Sequence, residues 1–458
     1  MIDDLLTPYD AAAFGRASPV RLVRETASKK DLADAPASLA ALARLNGFGG
    51  ESGSVVAGED GVLVGVGDGR DPFAVAAAAE RLPAGDYALA KTDPAADMSA
   101  ACLGWLLGGY RFDRYKEAKR AEARLVAPEG VDTAAVKRAA AAVYRARDLV
   151  NTPAGDMLPD ALQAAVEETG ARFDAGVETI VGEALLERNF PVIHAVGRAS
   201  TTPPRLIELV WGPAAAPKLT LIGKGVCFDS GGLNLKGAGG MALMKKDMGG
   251  AANALALAEM IMSAKLPVRL RLLIPAVENA VSGSAFRPGD VLRARSGLTI
   301  EIGNTDAEGR LILADAMAYA GEAAPDVTVT LATLTGAARV ALGPDLPPLY
   351  CDDDAFADAV VRAGAQVHDP SWRMPLWPDY EAMLASSIAD LNNAPGGPFA
   401  GSILAALFLK RFAPASGLWA HIDLYAWRPK AAPGRPVGGE AQTIRALFKV
   451  FERRFARP

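Results

Sequence analysis

Apolar residues recur along this chain in two rhythms. In the first third, the run Gly61-Val62-Leu63-Val64-Gly65-Val66 has the make-up of a buried strand, and Ala-rich stretches around 74 to 82 and 97 to 107 repeat at helical spacing. From Thr133 to Val150 the apolar positions Val136, Ala140, Val143 and Ala146 fall three or four apart, which predicts a helix, and Asn151-Thr152-Pro153 stops it. We read residues 131–152 as a connecting helix between a smaller N-terminal α/β domain, 1–130, with an accessory or oligomerising role, and a larger C-terminal domain, 153–458.

Beyond Leu162 helical and strand rhythms alternate. Strands are expected at 177–181, 206–210, 219–223, 268–276, 298–302, 327–333 and 418–422, with helices near 250–264, 309–323, 354–365 and 402–411. That order predicts an α/β fold whose C-terminal domain has a central mixed, mainly parallel sheet flanked by helices. In such sheets ligands gather where strands end in loops.

Composition narrows the function classes. Half of the 458 residues are apolar and 22% are charged, the balance of a chain that buries a large interior. A net charge of -5 and a pI near 5.5 give no general attraction to phosphate backbones, so nucleic acid is a poor candidate partner. The stretch Ala100 to Tyr110 is about half the length needed to span a bilayer, which argues against a membrane. The acidic start Met1-Ile2-Asp3-Asp4-Leu5-Leu6 does not resemble a secretory signal. Cys102, Cys227 and Cys351 are odd in number and far apart, which fits a reducing cytoplasm rather than a disulfide framework. Only His194, His368 and His421 exist, so a His-rich zinc site cannot be built. His194 and His421 read as core-strand residues and His368 as a surface one.

The remaining chemistry lies in three clusters. Ile222-Gly223-Lys224-Gly225-Val226-Cys227-Phe228-Asp229-Ser230-Gly231-Gly232 places Lys224 and Asp229 where an apolar strand hands over to a glycine-rich loop. Lys236 follows, and Met244-Lys245-Lys246-Asp247-Met248-Gly249-Gly250 sets Asp247 just before a helix, where a helix-start charge is the ordinary role. In Asn304-Thr305-Asp306-Ala307-Glu308-Gly309-Arg310-Leu311, an extended backbone puts Asp306, Glu308 and Arg310 on one side. Alone, the first and third clusters read equally well as solvated charge, and the second reads better as a helix-start charge. Together, Asp229, Asp247, Asp306 and Glu308 carry four negative charges, which two divalent cations neutralise, leaving Lys236 and Arg310 to face developing substrate charge.

These residues and their spacing resemble the leucyl aminopeptidase family of dinuclear metallopeptidases, with the octapeptide Asn304 to Leu311 intact. Further matching segments are Arg147-Asp148-Leu149, Pro191 to Gly197 and Gly434-Arg435-Pro436, so the resemblance runs from about 145 to 450. It implies one metal held by Lys224, Asp229, Asp247 and Glu308, and a second held by Asp229, Asp306 and Glu308. It also implies a water or hydroxide bridging the two ions, Mn²⁺ or Zn²⁺, as nucleophile. Lys236 then stabilises the oxyanion, and Arg310 holds a bicarbonate that acts as general base. Met244, Thr333 and Gly336 line an apolar first-residue pocket, and the Leu334 carbonyl receives the substrate's free amine. The resemblance further implies peptide substrates with a free N-terminus and a homohexamer of two stacked trimers. Gly237 and Ala242 depart from many relatives, which bears on loop rigidity and side-chain preference. A two-metal phosphoesterase and a DNA-binding architectural protein stay open as other readings, the latter opposed by the acidic balance.

Overall fold

The computed structural model describes residues 2–27, 32–90, 97–117 and 122–456. It divides the chain into two compact units, one of 1–144 with 428–437, the other of 145–427 with 438–458. The helix Thr133–Asn151 contributes to both, since the division falls after Tyr144.

The smaller unit is built on a six-stranded sheet in the order Leu6–Thr7, Ala123–Val126, Gly85–Leu89, Ser18–Val23, Gly61–Gly65 and Val55–Gly58. Its pairings are parallel except for the last, a hairpin. The helix Met98–Gly108 is capped by Asp97, whose carboxylate accepts the Ala100 N–H, and is buried along most of its length.

The larger unit carries a nine-stranded sheet. Its order is Trp372–Arg373, Pro348–Cys351, Leu418–Asp423, Val327–Ala332, Lys218–Gly223, Arg269–Asn279, Arg205–Trp211 and Gly176–Val181, with Gly225–Asp229 also pairing along Arg269–Asn279. The middle of this sheet is parallel; antiparallel pairings occur towards the two edges. The mixed, mainly parallel sheet expected from the alternating pattern is therefore what forms. The 298–302 segment does form a strand, Thr299–Glu301, but in a separate three-stranded sheet with Val291–Arg293 and Leu391–Asn392.

Helices cover both faces. Gly249–Ser263 lies directly on the central strands with Pro159–Phe173 and Ile444–Arg454 beside it, while Gly309–Gly321 covers the other face with Pro191–Gly197 and Gly401–Lys410. Gly249–Ser263 is buried all round, as a helix sandwiched between a sheet and other helices must be. Ile444–Arg454 is amphipathic instead, burying Ile444, Leu447, Phe448 and Phe451.

Two expectations change. His194 lies in the helix Pro191–Gly197 rather than in a strand, because Pro191 fixes the first helical turn and the buried Asp315 carboxylate accepts the Val192 and Ile193 N–H groups. Residues 225–229 are not loop but a second strand, so Lys224 sits at the break between two strands and Asp229 at the end of the second. His421 is a core-strand residue, as expected, and His368 is half-buried.

Candidate metal centre

The carboxylates come together at the ends of the central strands and at the start of the two long helices. Asp229 ends its strand, and two left-handed glycines, Gly231 (φ 88°) and Gly232 (φ 63°), turn the chain at once. That turn brings the Gly231 N–H to 2.8 Å from Asp229 Oδ1, which also accepts a 2.8 Å bond from Asn279 Nδ2. Asp247 lies in a tight turn, Met244–Met248, before the Gly249–Ser263 helix. Its side chain does not cap that helix: Oδ1 accepts from Thr333 Oγ1 at 2.9 Å and Oδ2 lies 2.7 Å from Lys224 Nζ.

Residues 304–308 are not extended. The Asn304 side chain accepts the Asp306 N–H at 2.7 Å, a local closure that replaces strand pairing, and Glu308 becomes the residue before the helix Gly309–Gly321. The turn still delivers what the strand reading required. Carboxylate oxygens of Asp229, Asp306 and Glu308 lie within 4.8 Å of one another.

Two lysines are threaded through the cluster. Lys224 Nζ, buried, is 2.7 Å from Asp247, 2.9 Å from Glu308 Oε1 and 3.0 Å from the Thr333 carbonyl. Lys236 Nζ is 2.8 Å from Asp229 Oδ2 and pairs with Asp306 as well. Gly309 is required beside Lys224, since a Cβ there would stand 2.5 to 2.7 Å from the end of the lysine chain.

The electrostatics are those of an over-negative pocket. Burial, with Asp229 and Asp247 nearby, pushes the Glu308 carboxyl up to about 8. Burial and Asp247 push Asp229 up to about 6. Burial opposes the charge on Lys224, but Asp247, Glu308 and Asp229 more than offset it and raise its pKa. Glu308 Oε2 is buried without a hydrogen-bond partner. Buried carboxylate oxygens so placed fit a divalent cation, which satisfies them and removes the mutual repulsion.

The remaining expected residues fall around this cluster. Arg310, buried, donates from Nη1 to the Asn393 carbonyl at 2.7 Å, while its Nε has no hydrogen-bond partner. Thr333 is tied to Asp247 rather than left as a free wall, and Met244 is half-buried at the start of the Asp247 turn. Leu334 and Thr335 donate their N–H groups to the buried Asp423, and Gly336 opens a short helix.

Three polar residues escaped the sequence reading. Asn279 bridges Asp229 and the Thr305 carbonyl; Asn393 holds the 303–307 turn; Asp423 holds the 334–335 loop. Asn393 opens the Pro/Gly-rich stretch 393–398, where a polar residue has the look of ordinary loop. Asn279 and Asp423 are each the last residue of a largely apolar strand, a position where a polar residue merely marks the strand's end.

Comparison with known proteins identifies the family. Residues 144–448 match the model of the cytosol aminopeptidase family, catalytic domain, and residues 18–128 that of the M17 aminopeptidase N-terminal domain. A probable cytosol aminopeptidase of Roseiflexus castenholzii is 42% identical over 382 residues, covering 79% of this chain and 77% of the relative. One from Leifsonia xyli is 40% identical over 435 residues, covering 88% and 86%. The crystal structure of the cytosol aminopeptidase from Coxiella burnetii superposes with a TM-score of 0.92 at 44% identity, covering 98% of this chain and 99% of the other. The bottromycin maturation enzyme BotP in complex with Mn superposes with a TM-score of 0.86 at 34% identity, covering 95% and 99%. The chain belongs to the cytosol aminopeptidase family and is a metallo-aminopeptidase. No helix among the described residues is long and apolar enough to cross a membrane.

Proposed function

We propose that this chain releases N-terminal amino acids, leucine or another apolar residue first, from peptides in the cytoplasm, using two divalent cations, Mn²⁺ or Zn²⁺. The observation that carries this is the convergence of the buried Asp229 and Glu308 with the half-buried Asp306, with the second Glu308 oxygen unpartnered. Lys224, Asp229, Asp247 and Glu308 would hold one cation, and Asp229, Asp306 and Glu308 the other. When bound, such a pair lowers the pKa of water to supply a nucleophile near neutral pH and polarises the scissile carbonyl.

The protein's own groups do the rest. Lys236 would stabilise the oxyanion that forms on the attacked carbonyl, and its ion pairs with Asp229 and Asp306 beside the cation site support that role. Arg310, anchored through Nη1 on Asn393, keeps Nε for an anion; bicarbonate there is the proposed proton acceptor. Met244, Thr333 and Gly336 line the first-residue pocket, and the Leu334 carbonyl takes the substrate amine. A homohexamer, two trimers stacked, is the proposed assembly, with the 1–130 domain in an oligomerising role and 131–152 as the joint to the catalytic domain, 153–458.

The test is hydrolysis of leucine p-nitroanilide and Leu-Gly by purified protein, before and after chelation, with Mn²⁺ or Zn²⁺ restored, beside Lys236→Ala and Asp306→Ala. Activity that vanishes with chelator, returns with cation and fails in both variants supports the reading. A fully loaded protein that turns over no free-amine peptide refutes it.

A further inference from the structure

The larger unit has a second concave site, at the far end of its sheet from the carboxylate cluster. A cavity of about 400 Å³ is floored by Thr220, Arg271, Val210 and Glu208, which stand on three neighbouring strands, and walled by Tyr319, Glu322 and Ala323. Glu308 adjoins the start of the helix Gly309–Gly321 and Tyr319 lies near its end. At a rise of 1.5 Å per residue the two sites stand roughly 17 Å apart.

The charges lining the cavity do not cancel. Arg271 is neutralised by Glu208 at 2.6 Å and lies over the Tyr319 ring at 4.1 Å, while the Tyr319 hydroxyl donates to the same glutamate at 2.9 Å. Glu322 is neutralised by Arg295 through two bonds of 2.6 and 3.0 Å. That leaves Lys218 and Arg269, neither of which makes an ion pair among the described residues. Each is fixed instead by one backbone carbonyl: Lys218 Nζ donates to Ala323 at 2.7 Å and Arg269 Nη1 to Gly212 at 2.6 Å. Two cations are thus held in place at one cavity with their other N–H donors unspent. Surface lysines and arginines ordinarily sway in solvent or meet a carboxylate, and tethering them costs side-chain entropy.

We propose that this cavity is a binding site for a small organic anion bearing a phosphate or paired carboxylate head, with Lys218 and Arg269 as its recognising groups. The cavity volume suits a ligand of metabolite size. The ligand is not the peptide substrate, because the site lies at the other end of the strand and helix that carry the cation cluster.

Isothermal titration of the intact, cation-loaded protein at constant ionic strength tests this, with inorganic phosphate and succinate as separate probes. The same titrations are run on Lys218→Gln, Arg269→Ala and Arg310→Ala. At least one probe is expected to bind. Binding should weaken about tenfold or more in Lys218→Gln and Arg269→Ala, the loss of one charge-assisted hydrogen bond, and persist in Arg310→Ala. Peptide hydrolysis should be unchanged in Lys218→Gln and Arg269→Ala. Lys218 is exposed, so its variant reports even where Arg269→Ala folds poorly. Phosphate preferred over succinate assigns a phosphate head, and the reverse a dicarboxylate. Failure of both probes at millimolar concentration overturns the site. So does binding indifferent to the Lys218 and Arg269 changes, or binding lost in Arg310→Ala, which would place the anion at the catalytic cluster.

Discussion

Replacing Asn393 by alanine should disable the cation site without touching any residue of it. Asn393 is fully buried. Its Oδ1 accepts from the N–H groups of Gly303 at 2.8 Å and Asn304 at 3.3 Å, and its Nδ2 donates to the carbonyls of Asn304 at 2.8 Å and Ala307 at 3.2 Å. One side chain therefore clamps the backbone on both sides of Asp306 and directly before Glu308. Alanine removes all four bonds. At roughly 1 kcal/mol each they sum to about 4 kcal/mol, and since water can reach the exposed Gly303, a loss of about 2–3 kcal/mol is expected.

The catalytic cost is larger than that stability loss suggests. A shift of about 1 Å in groups that hold reacting atoms is worth on the order of 10²-fold in rate. Asn393→Ala is therefore expected to melt lower, to retain less Mn²⁺ after desalting and to lose 10- to 100-fold in kcat/KM on leucine p-nitroanilide. The change should spare the Arg310 bond, which is made to the residue's main-chain carbonyl. Asn393→Asp should do no better than alanine, because its second carboxylate oxygen faces the Asn304 and Ala307 carbonyls where a donor is needed. An alanine variant that melts, loads and hydrolyses like the parent refutes the assignment of the turn's shape to Asn393.

Four further outcomes follow from the same geometry. Glu308, at about 8, and Asp229, at about 6, are raised above their ordinary values, so the cation-free fold binds extra protons and its melting temperature should fall as pH rises from about 4 through 8. Glu308→Gln should flatten that fall, and a melting temperature that climbs with pH under chelator contradicts the account. Lys224→Arg keeps the charge but has no room beside Gly309, so metal analysis should show reduced cation content. Gly309→Ala should do the same by driving a methyl into the lysine amine, and normal loading in both variants would count against Lys224 as a ligand. Asp423→Ala frees the N–H groups of Leu334 and Thr335, so steady-state kinetics should show KM for Leu-Gly rising more than kcat falls.

What the sequence disclosed and what it withheld divide along one physical line. The strands Lys218–Gly223 and Val327–Ala332 are short runs of apolar residues and threonine, buried from Leu219 to Gly223 and from Val327 to Ala332, and runs of that make-up between turn residues are legible in the sequence. The helix Gly309–Gly321 likewise stands at the expected place. The ligand candidates were legible through residue type and spacing, since Asp306 and Glu308 lie two apart whether the backbone is extended or turned. The turn itself was not legible, because the partner that shapes it, Asn393, is 89 positions from Asn304. Asn279 lies 50 positions from Asp229 and Asp423 lies 89 from Leu334. Hydrophobic patterning assigns every polar residue to the surface by default, and these three are polar precisions of the interior, buried because each satisfies backbone or carboxylate groups that no neighbour in sequence can reach. Their replacement should therefore lower cation binding or substrate affinity together with stability while leaving every carboxylate in the chain, which makes Asn393 a more discriminating position to change than any of the carboxylates.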